Sequence, residues 1–126
     1  MRHVVPIVLL LVAAIHAVPL LGVVSAARLS SAYGISIDDP TLEILMRHRA
    51  VLFGILAAFL IFAAFQPQLH RVALVAAFVS AGSFVLLAQS VGGYNAPLAT
   101  VVWMDVVAVA LVVVGGVVHV LSPGVD

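Results

Sequence analysis

The sequence predicts an all-α fold, an integral membrane four-helix bundle, from two observations. Of its 126 residues 65% are hydrophobic and only 8% charged, against about 25% charged in soluble domains, and mean hydropathy is +1.34. The apolar residues also gather into four stretches, each near the roughly 20 helical residues that span a bilayer core. Backbone polar groups find no water in lipid, so helices are the form these stretches take.

The first stretch, 4–27, is broken only by His16 and the prolines Pro6 and Pro19. Arg2, His3 and the Val24-Ser25-Ala26 tripeptide imitate a secretory signal, but the apolar run is longer than a typical signal core, and it is read as a retained span. The second runs over about 46–65, the third over 72–91 and the fourth over about 98–121. The segments between them, RLSSAYGISIDDPTLE, QPQLHR and GGYNAP, carry turn formers and polar flanks and read as connections. Residues 1–126 therefore read as one transmembrane domain, with no length left for a soluble catalytic unit.

Composition removes several classes of function. A formal net charge of zero provides no basic field for nucleic acid. The absence of cysteine removes disulfides, thiolate metal sites, iron–sulfur clusters and thiol redox chemistry. The sequence calls for no metal or cofactor. His3, His70 and His119 converge on one surface without an HxH or HxxxH spacing, and Met46, His48, Met104 and Asp105 form only a loose copper-like set on the other.

Asp105 is the most informative residue, because a carboxylate at the centre of a membrane helix costs roughly 2.5–3.5 kcal/mol on insertion scales. It lies about eight residues inside the fourth span, ~12 Å below the surface bearing the 92–97 turn. The second span begins at that surface with EILMRHRAVLFG, which sets Arg47, His48 and Arg49 against an apolar run. Two readings are open: the arginines anchor the helix end at the headgroups, or Arg49 reaches down to pair Asp105, with Glu43 pairing Arg47 at i,i+4 if the helix starts early. Ser80 and Ser83 fall at compatible depths in the third span, Gln89 and Asn95 nearer the surface, and His16 enters the same layer from the opposite side. His16, Arg47, His48, Arg49, Ser83, Gln89, Asn95 and Asp105 are thus the candidate polar layer or ligand site. The packing alternatives are a core hydrogen bond for His16 and close helix contacts for the serines and for Gly115-Gly116. Tyr33, Tyr94 and Trp103 read as interfacial aromatics, Trp103 being deep enough to pack inside.

The chain resembles small four-helix bacterial membrane proteins related to the DoxX-like group in its Arg-Ala-Val-Leu-Phe-Gly segment. It resembles more closely a set of short four-span bacterial proteins, some of which carry the name phosphopantetheine adenylyltransferase. The shared features are Tyr33-Gly34-Ile35 followed by Asp39-Pro40, EILMRHRAVLFG, AAFQP, SVGGYN and VVWMDVVA. The resemblance implies a four-helix bundle and marks Arg47, His48, Arg49, Asn95 and Asp105 as pattern residues without assigning a reaction. The enzyme name is rejected: a soluble nucleotide-binding fold, an HxGH motif and a triphosphate cradle are all missing from the sequence.

Arginine counts of two on the side of the termini (Arg2, Arg71) and three on the other (Arg28, Arg47, Arg49) favour the reverse orientation slightly. With Arg47 and Arg49 assigned to buried architecture, and with the resemblance pointing the same way, both termini are placed in the cytoplasm of a bacterial inner membrane. No catalytic set is recognisable. The leading expectation is a non-enzymatic accessory or self-associating bundle whose partners are the bilayer, a second copy or another subunit. The alternatives are a carrier of a quinone, fatty acid or isoprenoid held by Arg49, His16 and Asp105, or a membrane enzyme using His16 or Asp105 as acid or base.

Overall fold

The computed structural model describes residues 1–122 and shows an all-α bundle. Its α-helices are α1 (Val4–Ala17), α2 (Ala26–Tyr33), α3 (Pro40–Ala64), α4 (His70–Val91) and α5 (Ala96–Leu121), with 3-10 segments at Val18–Val23 and Pro67–Leu69. Four helical segments are long and apolar enough to cross a membrane: Val4–Val23, Pro40–Ala64, Pro67–Val91 and Ala96–Leu121.

Beyond starts two residues earlier for α4 and α5, three boundaries differ from the sequence reading, each for a local reason. Pro19 has no N–H to return to the Ile15 carbonyl, so the Val18 N–H takes that carbonyl instead and the chain tightens into 3-10 geometry through Val23. The first span therefore ends before 27. The segment read as a plain connection contains α2, whose start is capped by the Ser25 hydroxyl accepting from the Arg28 N–H at 3.3 Å. Helix α3 begins at 40 rather than 46, because the Asp39 carboxylate accepts from the Thr41 N–H at 2.8 Å and Pro40 is preset for a first helical turn. Glu43 is then helical, and it pairs with Arg47 at 3.1 Å.

The main core is built from one face of α1 (Val5, Val8, Leu9, Val12), the far end of α3 (Leu60, Ala63, Ala64), an alanine stripe on α4 and Ala108 and Val112 of α5. The α4 stripe, Ala73, Ala77, Ala81 and Ala88, follows helical spacing and lets the helices approach closely. Gly115 serves the same purpose on α5: a Cβ there would stand 3.1 Å from both Leu74 and Val8, whereas one on Gly116 would meet open space.

Helix α1 packs closely on α3 and α5, and α5 on α4, but α3 and α4 touch much less. The bundle is thus looser on one side, and α2 lies across that end. Leu29, Tyr33 and Ile37 bury themselves there against Leu42, Met46, Leu98 and Val101 in a second, smaller core. Asn95 locks the arrangement, its side-chain oxygen capping α5 through the Leu98 N–H (2.9 Å) while its Nδ2 donates to the carbonyls of Tyr33 (2.8 Å) and Gly34 (3.1 Å).

Candidate functional site

The looser side carries an open pocket of about 690 Å³ walled by α3 (Met46, Arg49), α4 (Phe84, Leu87, Ala88, Val91), Leu98 of α5, Tyr33 of α2 with Ile35 just beyond it, and the Gly92–Asn95 turn. The size lies within the range of small-molecule sites, and the walls are mainly apolar. Among the described residues Arg49 is the one charged group lining it.

Arg49 is held from three directions. Its NH1 donates to the Tyr33 hydroxyl at 2.7 Å. Its guanidinium carbon lies 4.7 Å from the ring centre of Phe53, 5.3 Å from that of Phe84 and 5.5 Å from that of Tyr33. Phe53 is four residues along α3 and so shares the helix face of Arg49, while Phe84 and Tyr33 come from α4 and α2. Aromatic faces stabilise a cation when water is scarce, yet they use none of the five N–H donors in the guanidinium plane. Among the described residues no carboxylate comes within 4 Å of Arg49.

A second space of about 40 Å³ lies behind Arg49, bounded by His16, Phe53, Asp105, Met104, Val101 and the Ile15–Pro19 break in the first span. Asp105 is only 6% exposed and accepts no hydrogen bond from any described residue. His16, 1% exposed, is satisfied. Its Nδ1 is 2.9 Å from the Val12 carbonyl and Nε2 3.1 Å from the Ser80 hydroxyl. A carbonyl only accepts, so a neutral ring donates from Nδ1 and receives the Ser80 proton at Nε2. Its ring also lies against Phe53, centroids 5.6 Å apart, and so supports the arginine cage.

The structure therefore brings His16, Arg49 and Asp105 to one chamber and Asn95 to the neighbouring pocket. Arg49 and Asp105 face each other without forming the direct ion pair that the sequence raised. Arg47 lies apart, donating from Nε to the Val23 carbonyl at 3.0 Å and from NH1 to Glu43, and so it ties the broken end of the first span to α3. His48 is exposed. Ser83 and Gln89 are also exposed, because the alanine stripe takes the inward face of α4, and the Ser83 hydroxyl donates back to the Ser80 carbonyl. Trp103 points outward at 69% exposure, whereas Tyr33 is buried. Among the described residues no three His, Cys, Asp or Glu side chains are grouped to hold a metal ion.

Sequence reasoning missed Tyr33, Phe53 and Phe84. The signal for Phe53 was its i+4 spacing from Arg49; Tyr33 and Phe84 reach the site only through tertiary packing.

No family model, no curated protein and no solved structure matches this chain.

Proposed function

We propose that this protein holds a small lipophilic molecule within the bilayer, its tail in the larger pocket and one polar headgroup at Arg49. The observation that carries the reading is a cation in an apolar wall, covered on its faces by aromatic rings, with most of its in-plane donors uncommitted to the described residues. A permanently charged side chain left so in a membrane helix is costly, and an acceptor supplied by a ligand offsets that cost. Native mass spectrometry of the protein released in its own lipids is the test. A retained lipophile, lost on Arg49→Met, is the expected result; a ligand-free wild-type protein that also takes up nothing from a lipid panel would sink the proposal.

A second reading, a non-enzymatic bundle that associates with a second copy or another subunit, is favoured by one observation. An apolar groove of about 570 Å³ runs between α4 and α5 on the outer face, lined by Phe78, Val79, Gly82, Leu86, Val106 and Val109. The same spectra record stoichiometry, so a ligand-free dimer or heteromer would place this reading first.

The relationship to the DoxX-like group, the bacterial inner membrane and the cytoplasmic placement of both termini belong to the same proposal. The natural absence of cysteine makes orientation directly testable. A single cysteine at Ser122 is expected to resist a membrane-impermeant maleimide in intact cells, and one at Tyr94 to react; the opposite pattern would invert the topology.

A further inference from the structure

The larger pocket accommodates many tails, but the small chamber behind Arg49 is chemically selective. It is bounded on one side by a guanidinium and on another by the buried carboxylate of Asp105, which takes no hydrogen bond from the described residues. These two groups do not meet within 4 Å. The chamber measures about 40 Å³, a few times the ~10–15 Å³ that one water-sized group occupies. Arg49 is common to the linings of the two spaces, and it is the side chain at which a tail in one and a terminal group turned toward the other would meet.

We infer that the headgroup is a hydroxyl, and that the ligand is an uncharged lipid alcohol rather than a lipid acid or amine. The inference rests on the lipophile-binding reading above. One hydroxyl oxygen accepts from an Arg49 N–H and donates its own proton to the Asp105 carboxylate, so a single atom answers both groups. A carboxylate or phosphate satisfies Arg49 but brings a second negative charge against Asp105. An ammonium satisfies Asp105 but opposes Arg49. An ether oxygen accepts from Arg49 and leaves the buried carboxylate without a donor, the kind of mismatch that costs a ligand most. Asp105 is thus a specificity residue that rejects the anionic lipids and fatty acids which a lone arginine in a membrane would collect. His16, its Nε2 engaged by Ser80 and Nδ1 by Val12, closes the chamber without adding a charge-pairing requirement when neutral.

The test uses wild-type protein in phosphatidylcholine nanodiscs, photolabelled with a diazirine-bearing hexadecanol and mapped by peptide mass spectrometry. Hexadecanol, hexadecanoic acid, hexadecylamine and hexadecyl methyl ether serve as competitors. Labelling on the walls of the large pocket, with the alcohol competing roughly tenfold or more better than the other three, is expected. The Asp105→Asn variant, nearly isosteric, is expected to admit the acid and to reverse its rank against the alcohol. If the acid wins in wild-type protein, Arg49 is a simple anion site and the hydroxyl inference is overturned; equal competition by all four overturns it too. In both cases labelling in the pocket leaves the lipophile-binding reading standing. Labelling absent from those walls would overturn both.

Discussion

Arg49→Met is expected to abolish ligand retention and, made together with Asp105→Asn so that no buried carboxylate loses the cation facing it, to leave the bundle about as stable as Asp105→Asn alone. Methionine approximates the arginine stem and packs well against aromatic rings, so the cage of Phe53, Phe84 and Tyr33 keeps its filling. What disappears is a charge-assisted hydrogen bond to the ligand, about 1.5–3 kcal/mol, or roughly 10- to 150-fold in affinity. The variant also removes a cation without a direct carboxylate partner among the described residues. Groups placed for binding rather than folding characteristically give stability back when removed. Arg49→Lys is expected to recover only part of the binding, because an ammonium lacks the flat guanidinium that fits between rings and reaches the Tyr33 hydroxyl at once. Thermal unfolding in detergent and ligand retention on the same samples decide the matter. Parallel loss of stability and binding when Arg49→Met is added to Asp105→Asn would make Arg49 a structural residue.

Gly34→Val is expected to be the most damaging single substitution at the α2 end of the molecule. Gly34 ends α2 in the left-handed conformation, φ 64 and ψ 33, which costs an L-residue roughly 1–2 kcal/mol. A Cβ there would also lie 2.8 Å from the Pro97 ring and 3.1 Å from Asn95 Nδ2, and overpacking of this kind costs about 1–3 kcal/mol more. The displaced groups are those that join α2 to α5, so Tyr33 moves and the Arg49 cage loosens. Gly93→Ala is the control, since Gly93 shares the positive φ of 67 but a Cβ there meets nothing within 4 Å. Unfolding temperatures that drop equally in the two variants would show that crowding at Pro97 contributes nothing.

The two predictions also mark where the sequence was legible. Four spans follow from the length and apolarity of four stretches, properties that survive whatever the helices pack against. Position along each helix was legible too: His16, Arg49 and Asp105, set at one level by counting residues, line one small chamber. Rotation about each helix axis was not. The serines of α4 share a helical spacing as regular as that of Ala73, Ala77 and Ala81, and only packing decides that the alanines turn inward, with Ser80 half-buried against His16 and Ser83 and Ser90 exposed. Helix α2 was hidden because eight residues of mixed polarity give a weak periodic signal; it is held by burying Leu29 and Tyr33 against other elements. With α2 unseen, the hydroxyl that receives the Arg49 N–H could not be placed, and Asp105 was the natural partner to consider.

The parting of α3 from α4 has a consequence for how occupancy must be measured. The rim of the large pocket includes Leu87 and Val91, both apolar and exposed, so a lipophile bound as proposed would enter sideways, by lateral diffusion from the surrounding acyl chains. The variable that governs filling is then the ligand's mole fraction in the membrane rather than its molarity in the buffer. Doubling the lipid at fixed total ligand should halve the ligand's surface density and shift an apparent Kd upward in proportion, with no change in the protein itself.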